Sequence, residues 1–304
     1  MKIQFLNGGL ANQAFQYIFA RYYELSHPGE VMYMDDSYFA LNKVHNGYEL
    51  EKVFGLKPHF LSECFDQEIW EYMLAQKQTG KSIPQILTDN GMELTFISEA
   101  GEGYKSFNPY SGKVNKVPTN LYYPELQNIP GTVYYHGYWL NGAWFSTYKE
   151  VFLKEFSFPE IADVQNREYL QQIESAPSVG IHIRRGDFVK LGMAVPPSVY
   201  RVMAEQFKEK ISALEEGENE LKKWTAFVFS DDSLWCKKNW KELGLESFGN
   251  IVFVEGNTQG RNYMDMQLMS LCRGMIMSNS SFCYLAALLN IGKKVVVNPT
   301  GREV

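Results

Sequence analysis

From residue 178 onward, short apolar runs alternate with longer amphipathic stretches. Val179, Ile181 and Ile183 alternate with Gly180, His182 and Arg184, which is the period-two pattern of a strand. Comparable runs are AFVFS (226–230), IVFVE (251–255), GMIMS (274–278) and KVVVN (294–298). Between them the apolar positions take helical spacing. In the clearest case Phe282, Leu285, Ala286 and Leu289 fall at i, i+3, i+4 and i+7, and Gly292 follows as a stop. Strands alternating with helices predict βαβ units on a parallel sheet, so this half reads as doubly wound. Ligands of such sheets sit outside the carboxyl ends of the strands. Polar residues collect at those ends, as HIRRGD (182–187), SDDS (230–233) and SNSS (278–281). Three such clusters on one edge predict a pocket.

The first half is less regular. KIQFL predicts a strand, NGG a tight turn, and LANQAFQYIFARYYEL a helix whose buried stripe is Phe15, Ile18, Phe19 and Tyr22. VMYM (31–34) and TVYYHG (132–137) predict further strands. Residues 79–128 show little periodicity and several Gly and Pro residues, and read as a loop-rich acceptor-binding region. EFSFPEIADVQ, near 155–165, reads as the hinge between halves.

Composition narrows the function classes. A chain of 304 residues suggests two domains, and 45% hydrophobic residues suffice for real cores. The 29 basic and 35 acidic residues leave a net charge of −6 without a long basic run, which disfavours nucleic acid as a partner. The N-terminus lacks a signal-peptide pattern and no apolar run has the length of a membrane span, so the expectation is a cytoplasmic protein, with peripheral contact at the inner membrane face still open. Cys64, Cys236, Cys272 and Cys283 form no CxxC pair and read as reduced core cysteines. Aromatic residues reach 15%; they suit sugar stacking, although a bulky core is the commoner reason.

The polar ends carry the chemistry. His182 and Arg184 share a strand face, and Arg185 begins on the other. Arg184 could hold a diphosphate by a two-point contact, or form an ion pair with Asp187 or Asp231. Arg185 leans toward a structural role. Asp231 and Asp232 read as a metal pair, a base-reading carboxylate or an N-cap for the helix after them. Ser278, Asn279, Ser280 and Ser281 open a helix with a composition that suits both a cap and a phosphate. In NGGLANQ, a Gly-rich turn aims backbone N–H groups forward, with Asn12 as a contact or merely a cap.

Taken together, these stretches resemble the bacterial alpha-1,2-fucosyltransferases of glycosyltransferase family eleven. GGLANQAFQYIFA (8–20), GYWLNGAWF (137–145), HIRRGDF (182–188), YMDMQLMSLC (263–272) and SNSSFCYLAALLN (278–290) are similar to that family's motifs. Cys283-Tyr284-Leu285 stands where the family has paired tryptophans. The resemblance implies an α/β, GT-B-like architecture of two Rossmann-like domains facing a cleft. Residues 1–157 would be the acceptor side and 158–304 the GDP-sugar side. It also implies GDP-fucose as donor, a beta-galactoside glycan as acceptor, inversion at the sugar carbon, and no metal or cofactor. Arg184 would contact the β-phosphate and His182 the nucleotide. Asp231 or Asp232 would read guanine or ribose, and Ser280 or Ser281 would hold phosphate. Asn12 would approach the phosphates, with Arg185 and Asn279 completing the donor set. Asp187 is the candidate base, with an orienting salt bridge as its alternative. Two competing readings are a GDP-sugar transferase of other linkage, alpha-1,6 or O-fucosyl, and a silent glycan- or nucleotide-binding protein.

Overall fold

The computed structural model describes residues 1–42, 46–99, 112–214, 220–293, 295–301 and 304. The chain divides into two compact units, Met1–Ser157 and Phe158–Val304. Each is Rossmann-like, built on a parallel five-stranded sheet, in keeping with the α/β, GT-B-like expectation.

In the first unit the strands are β1 (Lys2–Phe5), β2 (Met32–Asp35), β3 (Thr95–Glu99), β4 (Val114–Val117) and β5 (Val133–His136). Their order is β2-β1-β5-β3-β4, with every pairing parallel. The central strand β5 is buried along its whole length, as expected for a short run covered on both faces. The helix Leu10–Ser26 buries Phe15, Ile18, Phe19 and Tyr22, but Gln13 and Gln16 are buried too. These glutamines hold the turn before it: Gln13 Nε2 donates to Gly8 O (2.8 Å), and Gln16 Nε2 to Asn7 Oδ1 (2.7 Å).

Residues 79–128 correct the sequence reading. A helix, Ile83–Asp89, is capped by Ser82, which accepts from the Gln85 N–H, and β3 and β4 follow. β3 is covered on both faces and β4 pairs only with β3, so neither shows the polar–apolar alternation that marks a half-buried strand. The stretch 100–111 of that supposed loop lies outside the described residues. Much of the aromatic wealth is core. Phe19 stacks on Trp139 (4.3 Å, 13°), and Trp144 meets both Phe19 (5.1 Å) and Tyr22 (4.9 Å) edge-on.

The second unit has β6 (Ser178–Ile183), β7 (Thr225–Ser230), β8 (Asn250–Phe253), β9 (Gly274–Ile276) and β10 (Val295–Val297), ordered β10-β9-β6-β7-β8. The chain steps outward from β6 to β8, then crosses back to β9 and β10. The order therefore reverses between β6 and β9, and that gap is where a doubly wound sheet takes its ligand. Tyr200, Met203, Phe207 and Ile211 of the helix Pro197–Leu214 pack with Val179, Ile181 and Ile183 of β6 in one core. That packing fixes His182 and Arg184 on the opposite face. Among the described residues no helix is long and apolar enough to cross a membrane.

Candidate active site

A cavity of about 440 Å³ lies at the carboxyl ends of β6, β7 and β8, with His182, Arg184, Asp231, Asn257, Asp265 and Phe282 among its lining. His182 is buried, and its Nδ1 lies 2.8 Å from Ser278 Oγ, just past the end of β9. Its ring tilts against Phe282 at 5.6 Å. Burial first, and the Arg184 charge second, push the imidazole down to about 3, so it is neutral at ordinary pH. The unfolded chain takes up a proton near 6.5 that the folded chain refuses. Stability from this group is thus complete above 6.5 and falls as pH drops toward 3, by about 1.4 kcal/mol per pH unit. Unfolding titrations between pH 7 and 4.5 should show His182→Gln with a shallower acid loss than the parent; parallel curves would refute this.

Arg184 is half-buried and held at both ends of its fork. One terminal nitrogen is 2.7 Å from Asp187 Oδ1 and the other 2.9 Å from Asp231 Oδ2. Arg185 does something else. Its guanidinium lies 3.5 Å from the Trp235 ring centroid, its Nε donates to Asp232 Oδ2 (3.1 Å), and its backbone N–H donates to Asp231 Oδ1 (2.8 Å). Asp232 also caps the helix Ser233–Lys238 by accepting from the Trp235 N–H. The two aspartates are thus engaged by arginines and backbone, the salt-bridge and capping alternatives that the sequence had left open. Asp187, the candidate base, is the more exposed partner of Arg184 and lies outside the cavity lining.

Gly186 has an ordinary conformation, and its constraint is proximity: a Cβ there would stand 2.6 Å from Asp231 Oδ2, the oxygen that holds Arg184. Gly186→Ala should therefore displace Asp231 and lower turnover severalfold, while melting changes by about 1 kcal/mol or less. Parental turnover in this variant would show that the Asp231 contact is dispensable.

The remaining expected residues scatter. Asn279 Nδ2 donates to Met193 O (2.9 Å), Ser280 caps by accepting from the Phe282 N–H (3.2 Å), and Ser281 opens the helix Ser281–Leu289. None of these three lines the cavity, nor do Arg185 and Asp232. Asn12 belongs to the first unit. Gly9, not Asn12, is the N-cap residue of its helix, and Asn12 packs against Gly8, whose φ is +79°. Glu49 Oε2 accepts the Leu10 N–H (3.1 Å) in the turn where an anion was expected. Cys283, Tyr284 and Leu285 are buried and fill core space in place of the family's tryptophans. Among the described residues no three His, Cys, Asp or Glu side chains are grouped to hold a metal.

Sequence reasoning missed Asp265. It sits in the first turn of the helix Tyr263–Leu271 and turns its carboxyl to the cavity, where Asn257 Nδ2 donates to it at 2.7 Å. Asn257 is held in turn by a reciprocal amide pair with Asn166, at 2.8 Å in each direction. Burial pushes the Asp265 carboxyl up to about 7, against the lowering effect of Asn257. The available signal was one carboxylate inside the apolar run YMDMQLM.

Residues 121–303 match the profile described as Glycosyl transferase family 11. The chain is 29% identical, over 97% of its length and 90% of the relative's, to an alpha-1,2-colitosyltransferase of Escherichia coli. It is 28% identical to the galactoside 2-alpha-L-fucosyltransferase Sec1 of Mus musculus, over 61% of this chain and 52% of that protein. Among solved structures, an Arabidopsis thaliana FUT1 mutant in complex with GDP aligns at 16% identity and a TM-score of 0.48, covering 99% of this chain and 71% of that one. NodZ alpha-1,6-fucosyltransferase soaked with GDP-fucose aligns at 13% identity and 0.48, covering 95% and 92%. HIRRGDF and SNSSF, which contribute His182, Arg184 and Phe282 to the cavity lining, both fall inside the matched span, and the chain belongs to glycosyltransferase family 11.

Proposed function

We propose that the protein transfers L-fucose from GDP-beta-L-fucose to the 2-hydroxyl of a terminal beta-galactose, with inversion at the sugar carbon and without a metal. The observation that carries this reading is the forked Arg184 side chain, braced by two carboxylates, in the cavity at the carboxyl ends of β6, β7 and β8. GDP departs with growing negative charge, and a guanidinium already oriented by Asp187 and Asp231 meets that charge with little reorganisation. Asp187 acts as a positioning residue for Arg184. Neutral His182 offers its second ring nitrogen to the nucleotide. Base reading moves from Asp231 and Asp232 to Asp265, whose carboxylate in a confined pocket suits the paired N–H donors on the guanine edge.

A second donor is favoured by one comparison, the colitosyltransferase relative that spans nearly the whole chain. Colitose is L-fucose without its 3-hydroxyl, so GDP-colitose belongs in the same test. The protein is incubated with lactose and either GDP-sugar, with and without EDTA, and product linkage is read by NMR. An alpha-1,2 product, free GDP and rates unaffected by EDTA are expected. A folded protein that gives no product with either donor refutes the transfer reading. Loss of turnover in EDTA reassigns Asp231 and Asp232 to a metal.

A further inference from the structure

Asp265 is the last member of a hydrogen-bonded chain that starts outside the cavity lining. Asp163 caps the helix Val164–Ser175 by accepting from the Asn166 N–H (2.9 Å), and its two carboxylate oxygens also lie 3.0 and 2.9 Å from Asn166 Nδ2. Asn166 is 1% exposed, and its amide pairs with that of Asn257, each Nδ2 donating to the other's Oδ1 at 2.8 Å. The second N–H of Asn257 goes to Asp265 Oδ1 (2.7 Å). Three segments far apart in the chain are thus tied together: a helix N-terminus, the loop after β8 and the first turn of the helix Tyr263–Leu271.

The chain runs one way. Burial would raise the Asp163 carboxyl, but the Asn166 donors and then the Arg261 charge hold it below the usual range, so it is ionised and can only accept. Met264 Sδ, 3.2 Å from Asn166 Nδ2, has no proton to donate either. Both therefore require the NH2 end of Asn166 on their side. Two amides paired reciprocally flip together or not at all, so the sense of Asn166 fixes that of Asn257 and aims its remaining N–H at Asp265. Turned over, Asn257 would offer Asp265 a carbonyl, which only a protonated acid can meet. Such an acid presents an O–H where guanine presents N–H donors of its own.

We propose that Asp163 and Asn166, though neither lines the cavity, are positioning residues that give it a preference for guanine by fixing the amide sense of Asn257 against Asp265. The proposal rests on Asp265 as the base reader, but binding alone measures it, without donor sugar or acceptor. GDP and inosine diphosphate, which lacks the 2-amino donor, are titrated by calorimetry into the full chain at pH 8. The variants are Asn166→Ala and Asp163→Ser, with melting curves as the folding control. Serine keeps the cap, but its hydroxyl donates as well as accepts, so the sense of Asn166 is no longer enforced; this variant stands in should Asn166→Ala unfold. In folded variants GDP should weaken by about tenfold and inosine diphosphate by about threefold or less, so the preference for guanine narrows. Parental GDP affinity, or equal weakening of both nucleotides as a purely structural role would give, overturns the proposal. Asp265→Asn separates the two readings. If it binds GDP as the parent does, base reading by Asp265 falls and the role of the chain falls with it. If it weakens GDP while Asn166→Ala and Asp163→Ser do not, only the chain falls.

Discussion

Arg184→Lys is expected to lose turnover by on the order of 100-fold or more, about 2.7 kcal/mol, the usual cost of removing a charge-stabilising donor. Arg185→Lys should keep most of it. The two side chains have equal charge, so a general attraction to GDP would make them nearly equivalent; their surroundings differ. Arg184 holds Asp187 and Asp231 through separate terminal nitrogens while lining the cavity. An ammonium is a single point and cannot keep both carboxylates and a phosphate at those angles. The Arg185 guanidinium sits over the Trp235 ring, 3.5 Å from its centroid, and a lysine there loses the guanidinium's contact with the ring and with Asp232, a stability effect of about 1 kcal/mol. Turnover, GDP affinity and melting of both variants decide the matter. Equal losses in well-folded proteins would mean that Arg185 also reaches the donor.

Asp265→Asn should weaken GDP binding by on the order of 100-fold, in the ~2–3 kcal/mol range of hydrogen bonds to a charged acceptor. The amide places two N–H donors against those of guanine. Its effect on stability should have the opposite sign. The folded protein holds the Asp265 proton up to about pH 7, whereas the unfolded chain releases it near 3.8. Stability of the free protein therefore declines as pH rises between those values and stays lower above them. The variant lacks that decline and should melt at or above the parent temperature at pH 8. GDP binding to the parent should strengthen as pH rises through about 7, because guanine needs the ionised form. The terminal phosphate of GDP titrates near 6 in parent and variant alike, so only the difference between them reports on Asp265. Calorimetry at pH 6 and 8 measures it. Parental GDP affinity in Asp265→Asn would remove this residue from base reading.

The local pattern carried much of the fold. The runs around β6 to β10 are short, apolar and spaced by helical stretches, and such spacing has few solutions other than a parallel sheet. Strand alternation also put His182 beside Arg184, and it is the packing of Ile181 and Ile183 that leaves both facing the cavity. β3 and β4 escaped notice because neither shows a polar–apolar alternation, and pairing with distant strands is what holds such residues extended.

By itself, the sequence determined the class of fold, the polar edge of the second sheet and which residues begin on the same face, because periodicity is a local property of the backbone. Only the tertiary structure decided the rest. It braced Arg184 with two carboxylates, laid Arg185 on Trp235, and put the Asp265 carboxyl in a cavity where burial pushes it up to about 7. It also stacked the Phe5 and His136 rings 4.9 Å apart, at the ends of two strands more than a hundred residues apart in the chain. These are contacts between residues far apart along the chain, and burial, which shifts a carboxyl or an imidazole by several pH units, has no meaning until the chain has closed around the group.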